Sequence, residues 1–213
     1  ATAERYRDLG LDLIPGTGLL STVVPGAFDA WLLLLRDHGT WTLADVLAPA
    51  IHYAEHGQPL LATTADVIAR LKPLFENEWP TSAAIYLPDG TAPAAGALFR
   101  NPLLAETYKK IIKNTDGNGK SRESDIDAAR TLWREGFVAG AVDHFCRSTE
   151  AMDTSGRRHG GLLTGDDMVK WSASYEQPVT FDYHGYTVCK TGPWGQGPVF
   201  LQQLSLLKGF DVG

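Results

Sequence analysis

Two histidines and a glutamate in the pattern His-x-x-Glu-His form the first group of residues whose spacing could do chemistry. On a helix, His52 and His56 lie one turn apart and could share a metal ion, with Glu55 beside them as in inverted zinc peptidases. A third ligand would have to come from elsewhere. Gly57 should end the helix at once, so a solvated histidine favoured by the helix dipole also explains His56. We predict no metal here and keep a zinc peptidase as an alternative.

A second polar stretch resembles the beginning of a calcium-binding loop. Asp116 and Asn118 occupy the first and third positions, but the fifth is Lys120 and the sixth is Ser121 instead of glycine. The twelfth position is Asp127, where such loops carry glutamate. We therefore interpret the stretch as a solvated surface loop and not as a calcium site.

The common catalytic and cofactor motifs are absent from the sequence. It contains no G-x-S-x-G elbow, no Walker loop and no dinucleotide fingerprint. The pair Asp166-Asp167 is typical of the first turn of a helix. No spacing identifies a nucleophile, and the sequence predicts no cofactor.

The elements that would position such residues are mostly helical. Residues 27–38 have apolar residues on all sides, which predicts a buried helix. Pro73 should kink or end a third helix, and residues 78–100 and the polar stretch 149–161 read as irregular. Alternating residues on either side of His184-Gly185 predict a β-hairpin over 179–190. The predicted helices cover about 27–38, 43–56, 63–75, 102–114, 124–135, 138–148, 165–171 and 198–208.

Composition excludes several classes of function. The net charge is −6, with 19 basic and 25 acidic residues, which argues against nucleic acid or an anionic membrane as partner. No apolar run approaches the roughly 18 residues of a membrane span. Cys146 and Cys189 are too few for a disulfide framework, and we expect buried free thiols. The sequence is compatible with a cytoplasmic or an extracytoplasmic compartment.

Several segments, in order, resemble the γ-glutamyltranspeptidase family. Near the start these are Val24-Pro25-Gly26, Gly39, the sequence LAPAI at 47–51, and Gly57. Later segments are REGFVAGAVDHF at 134–145, a Gly-Gly, Thr, acidic-pair, helix and hairpin sequence from 160, and the loop Gly192–Gly197 followed by VFLQQLSLLKGFD. The resemblance is collinear over residues 18–212. One departure is Trp194-Gly195, where the family commonly has a pair of serines.

The resemblance implies an α+β fold: a mostly helical segment with one hairpin, forming part of the αββα sandwich of an N-terminal-nucleophile hydrolase. Residues 1–213 would be a single segment of the large subunit, helical over 18–171, with hairpin, loop and helix over 178–208. The family cleaves γ-glutamyl amides with the N-terminal threonine of a small subunit that is cut from the same precursor. We expect that threonine outside these residues, no catalytic residue within them, and no activity of this chain alone.

The resemblance also proposes a role for the last loop. Pro193, Trp194, Gly195, Gln196 and Gly197 would form a wall of the substrate pocket, and the departure at Trp194 suggests a substrate other than ordinary glutathione. A turn that only delivers the final helix is the alternative.

Two further expectations follow. The whole chain could be a noncatalytic helical interaction domain of the same fold. As part of a larger sheet, the hairpin would have unpaired edges, which favours dimers or oligomers, or low stability.

Overall fold

A computed structural model describes residues 1–117, 119 and 121–211, and the chain divides into two compact units, Ala1–Ala173 and Ser174–Gly213. The helices within the described residues are α1 (Ala3–Asp8), α2 (Ala27–His38), α3 (Leu43–His56), α4 (Ala62–Asn77), α5 (Pro80–Tyr86), α6 (Pro102–Thr115), α7 (Arg122–Glu135), α8 (Phe137–Ser148), α9 (Gly165–Lys170) and α10 (Gly197–Leu207). The strands are β1 (Gln58–Pro59), β2 (Leu98–Phe99), β3 (Glu150–Met152), β4 (Arg158–Gly160), β5 (Val179–Tyr183) and β6 (Tyr186–Lys190). The α+β expectation is confirmed. None of the helices in these described stretches is long and apolar enough to cross a membrane.

The main core of the first unit joins four helices. Side chains from α2, α3, α6 and α7 meet in one cluster, in which Phe28 stacks on Trp133 with ring centroids 4.4 Å apart. The fully or nearly fully buried members of the cluster are Leu32, Leu43, Ile111, Ile126 and Ala129. Burial of these apolar side chains is the main force that holds the helices together.

The expectation that α2 is buried on all sides is wrong. Leu32 and Leu33 are buried, but the Trp31 side chain is 71% exposed and Leu34 is 53% exposed. The helix packs against α7 through one face only, which leaves Trp31 and Leu34 uncovered on the other. We call these two residues the exposed stripe of α2.

Capping hydrogen bonds mark the starts of helices α3, α6 and α9. Thr42 accepts a hydrogen bond from the Asp45 N–H at 3.2 Å, and Asp45 accepts one from the Thr42 N–H at 3.2 Å. Thr164 and Asp167 form the same reciprocal box before α9. Asn101 caps α6 by accepting from the Leu104 N–H at 3.1 Å. Each box satisfies amide donors that the first turn of a helix leaves without a partner.

Residues 63–100 correct two expectations: Pro73 does not end its helix, and residues 78–100 are not irregular throughout. Helix α4 continues through Pro73 to Asn77, because buried residues on both sides of the proline, Ile68 and Phe75, pack into one cluster. Tertiary packing here outweighs the local cost of proline. The stretch 78–100, expected to be irregular, contains α5 with Pro80 in its first turn, a 3₁₀ turn and strand β2.

The polar stretch 149–161, also expected to be irregular, forms a β-hairpin from β3 and β4. The carboxylate of Asp153 lies at its turn and is fully buried. It accepts hydrogen bonds from the Ser155 Oγ at 2.6 Å and the Ser155 N–H at 2.8 Å, and its other oxygen lies 2.7 Å from the His159 Nδ1. These bonds replace the water that the carboxylate loses on burial.

The second unit consists of the predicted hairpin and the final helix. Strands β5 and β6 pair antiparallel, with Tyr183 opposite Tyr186. Both turn residues have positive φ, 47° at His184 and 86° at Gly185, as a two-residue type I′ turn requires. Helix α10 packs on this hairpin through the buried Leu201.

Candidate functional site

The loop between β6 and α10 contains four of the five residues for which the resemblance implies a substrate-pocket role, and the fifth, Gly197, is the first residue of α10. The Gly195 N–H donates to the Gly192 carbonyl at 3.1 Å, which closes a four-residue turn. Pro193 therefore stands at the second position of the turn, where its fixed φ is favoured, and Gly195 at the fourth. Trp194 is left at the tip. The preferences of this turn thus explain the proline and the glycines of the loop. The indole of Trp194 is the one large side chain in the turn.

The Trp194 indole is both exposed and anchored. The residue is 73% exposed. The indole Nε1–H donates to the Oε2 of Glu176 at 2.7 Å, a residue that precedes β5 in the same unit. A charge-assisted hydrogen bond of this length fixes one edge of the ring, while the faces stay available for contact.

The loop returns close to the end of strand β6. A Cβ added at Gly197 would lie 2.1 Å from the Thr191 carbonyl oxygen and 2.9 Å from the Lys190 Cβ. A Cβ at Gly195 would lie 2.7 Å from the Thr191 Oγ1. Gly197 is buried and is the first residue of α10. Close packing alone therefore explains why glycine stands at positions 195 and 197. The same packing holds the turn in one position relative to the hairpin.

The start of α10 carries no side-chain cap. Gln196 is the N-cap residue, is exposed and does not accept from the first turn of the helix. Pro198 has no N–H to satisfy, which reduces the need for a cap. Gln196 therefore presents an exposed side chain, without a capping role, two residues after Trp194.

The His-x-x-Glu-His residues do not form a metal centre with any third ligand in the described residues. The rings of His52 and His56 stack with centroids 4.5 Å apart, and the Nδ1 of His56 lies 3.0 Å from the His52 carbonyl oxygen. Glu55 instead forms an ion pair with Lys109, which lowers the pKa of its carboxyl group. Across residues 1–117, 119 and 121–211, no three His, Cys, Asp or Glu side chains come together in a geometry for a metal ion.

The loop that resembled a calcium site falls partly outside the described residues, since Asn118 and Lys120 belong to it. In the part that is described, the carboxylate of Asp125 accepts from the N–H of Gly117 at 2.8 Å and from the N–H of Gly119 at 2.5 Å. Asp125 therefore holds the loop by backbone hydrogen bonds.

No sequence pattern had indicated the two buried carboxylates of the first unit. One is Asp153 in the β3–β4 turn; the Ser155 hydroxyl donates to Asp153 and not to His159, so the three residues brace the turn and do not form a nucleophilic triad. The other is Asp29 on α2, which pairs with Arg130 and accepts from the Ala173 N–H. An acidic residue within an apolar helix was the available signal for Asp29. The thiol of Cys146 is buried as expected, whereas Cys189 is exposed.

Comparison with known proteins gives a consistent set of relatives. The family model for gamma-glutamyltranspeptidase matches residues 1–213. The glutathione hydrolase-like YwrD proenzyme of Bacillus subtilis (strain 168) is 30% identical over 211 residues, which are 99% of this chain and 35% of that protein. Among solved structures, LmbA2991HD is 55% identical with a TM-score of 0.92, covering 97% of this chain and 35% of that one. A cephalosporin acylase from Bacillus halodurans is 28% identical with a TM-score of 0.76, covering 99% and 36%. The chain thus spans about a third of the length of these relatives.

Proposed function

Because this chain belongs to the gamma-glutamyltranspeptidase family, we propose that it is the scaffold segment of an enzyme that cleaves γ-glutamyl amides. The observation that carries the proposal is the match of the family model across all 213 residues. The proenzyme name of the B. subtilis relative supports a precursor that is cut into two subunits. We place the nucleophile on the remaining part of the protein, as the N-terminal threonine of a small subunit.

The proposed reaction has two steps. The threonine hydroxyl oxygen forms an ester bond with the γ-carbonyl carbon, its proton passes to the α-amine of the same threonine, and the C–N bond breaks as that proton reaches the departing amine. Water or a second amine then attacks the ester, with the α-amine again acting as the base. An α-amine suits this role because it titrates near neutral pH. Hydrogen-bond donors around the carbonyl oxygen stabilise the charge of each tetrahedral intermediate.

In this proposal the residues Pro193 to Gly197 line the substrate pocket. Support comes from the anchored, exposed indole of Trp194 and the uncapped start of α10 beside it. The close packing of Gly197 against Thr191 fixes the loop to the hairpin, so the wall would be rigid. Preorganised side chains bind at a lower entropic cost than mobile ones.

We also propose that the two units form part of an αββα sandwich completed by the rest of the protein. The β5–β6 hairpin is two-stranded among the described residues, and isolated two-stranded sheets are marginally stable in water. The exposed stripe of α2 supports the same view, because uncovered large apolar side chains mark surfaces that bind a further layer or partner.

Expression of the complete reading frame tests the proposal. We expect self-cleavage into two chains, with threonine as the new N-terminus, and release of aniline from a γ-glutamyl anilide. Replacement of that threonine by alanine should abolish both processes and leave one uncleaved chain. A full-length wild-type protein that neither cuts itself nor cleaves the anilide would contradict the proposal and would instead favour a noncatalytic interaction domain.

A further inference from the structure

We propose that Trp194 makes this enzyme select γ-glutamyl amides whose amine portion is aromatic and carries no negative charge, an inference that rests on the proposed function. The indole stands at the tip of a closed turn and is 73% exposed. It is the one aromatic side chain between strand β6 and helix α10. A planar ring of the departing amine would stack on its free face.

The geometry prepares the indole for stacking before any substrate arrives. Pro193 restricts the backbone on one side of Trp194, and the Gly192–Gly195 hydrogen bond closes the turn around it. The bond from Nε1 to Glu176 at 2.7 Å then fixes the edge of the ring. A large aromatic side chain that is already held in place contributes binding energy without losing much conformational freedom.

The charge beside the indole determines which aromatic substrates fit. The Glu176 carboxylate lies at the edge of the ring, and residues 191–197 include no lysine or arginine. The nearest basic residue in sequence, Lys190, places its ammonium 5.0 Å from the centre of the Phe200 ring. A departing amine that carries a carboxylate, such as cysteinylglycine in glutathione, would meet a like charge without a basic partner from this loop. A neutral aromatic amine meets no such repulsion.

Three γ-glutamyl amides distinguish the effect of an aromatic ring on the departing amine from the effect of a negative charge on it. γ-Glutamyl phenethylamide and γ-glutamyl ethylamide release alkylamines of similar reactivity and differ only in the phenyl ring, whereas γ-glutamylglycine carries a carboxylate. For the full-length, self-cleaved enzyme we expect kcat/KM for the phenethylamide to exceed that for the ethylamide by about tenfold or more, as covering a phenyl ring should give. γ-Glutamylglycine should be the poorest of the three substrates.

Substitutions at Trp194 and Glu176 test whether Trp194 causes this substrate preference. Trp194→Ser should reduce the phenethylamide-to-ethylamide ratio to near one, and Trp194→Phe should retain most of it. Glu176→Gln keeps an acceptor for the indole N–H and should raise kcat/KM for γ-glutamylglycine. The matched control is Trp41→Ser, since Trp41 is a similarly exposed tryptophan, at 64%, in the first unit; it should leave all three values unchanged.

The outcomes distinguish this inference from the proposed function. If the wild-type enzyme cleaves none of the three amides, the proposed function fails. If it cleaves them with equal efficiency, or if Trp194→Ser keeps the wild-type ratio, amide cleavage stands and the role of Trp194 is refuted. If Trp194→Ser does not fold, inhibition of the wild-type enzyme by phenethylamine is compared with inhibition by ethylamine. We expect phenethylamine to inhibit at least tenfold more tightly. Equal inhibition by the two amines would contradict the role of Trp194.

Discussion

Removal of the Asp29 carboxylate should destabilise the first unit more than removal of any exposed acidic residue. The Asp29 side chain is 1% exposed, and Arg130, 12% exposed, donates to it from Nε at 2.8 Å and from Nη2 at 3.2 Å. The Ala173 N–H donates to the same carboxylate at 2.7 Å, so Asp29 joins α2 to α7 and to the end of the unit. Asp29→Ala would leave the Ala173 N–H without its acceptor and the Arg130 guanidinium with Asp127 as its remaining carboxylate, 3.2 Å from Nη1.

The expected loss of stability follows from the burial of the Asp29–Arg130 ion pair. Deleting one partner of a buried ion pair costs about 3–5 kcal/mol when the remaining charge stays desolvated, and the second partner Asp127 places Arg130 at the lower end of that range. Since a domain is stable by about 5–15 kcal/mol in total, the variant would lose a large part of its free energy of unfolding. With a urea dependence of about 1–3 kcal/mol per molar, the midpoint should fall by at least about 1 M. Arg130→Ala should have a similar effect, and the double variant should fall short of the sum by about 1–3 kcal/mol.

Urea unfolding followed by tryptophan fluorescence and by circular dichroism measures this loss. The matched control is Glu76→Ala, which removes a carboxylate from the exposed pair with Lys72 on α4 and should cost under about 1 kcal/mol. The reasoning is refuted if Asp29→Ala costs no more than Glu76→Ala, or if the two single losses simply add in the double variant.

Two further predictions concern the loop and the β3–β4 hairpin. Gly197→Ala should destabilise the second unit by about 1–3 kcal/mol, because its Cβ would lie 2.1 Å from the Thr191 carbonyl oxygen; unchanged urea unfolding would contradict this. Burial raises the pKa of Asp153, but hydrogen bonds from Ser155 and His159 outweigh it and hold that pKa below its ordinary value. Asp153 therefore contributes stability above its unfolded pKa and loses that contribution as pH falls through the lower folded value. The difference in unfolding free energy between wild type and Asp153→Asn, measured by urea unfolding from pH 6 to pH 2, should shrink toward pH 2. A difference that does not change with pH would contradict the lowered pKa of Asp153.

Features that depend on a few neighbouring residues could be predicted from the sequence. The capping boxes at Thr42 and Thr164 and the turn at His184-Gly185 each depend on side chains or backbone angles within four residues. Their energies are local, so the same residues produce the same geometry in many folds. The bounds of α2 and the hairpin were predicted correctly for this reason.

Features that depend on distant residues could not be predicted. Asp29 and Arg130 are 101 residues apart and meet only because α2 packs on α7. The β3–β4 hairpin lacks strong alternation, and it is ordered by hydrogen bonds around the buried Asp153 carboxylate. The anchoring of Trp194 by Glu176, 18 residues earlier, has the same origin. The position of the candidate loop could be predicted, but the orientation of its indole could not.

The exposed stripe of α2 shows why a correct helix can carry a wrong burial prediction. Apolar residues on all sides predict that a helix is covered on all sides, yet Trp31 and Leu34 face solvent while Leu32 and Leu33 are buried. Under the proposed function, the remaining part of the enzyme would cover Trp31 and Leu34, and the periodicity of α2 would reflect a surface that is buried only in the complete protein. Relatives about three times as long as this chain support that view. The same reasoning applies to the edges of the β5–β6 hairpin, which the small subunit would cover, and to the indole of Trp194, whose open face the substrate would cover.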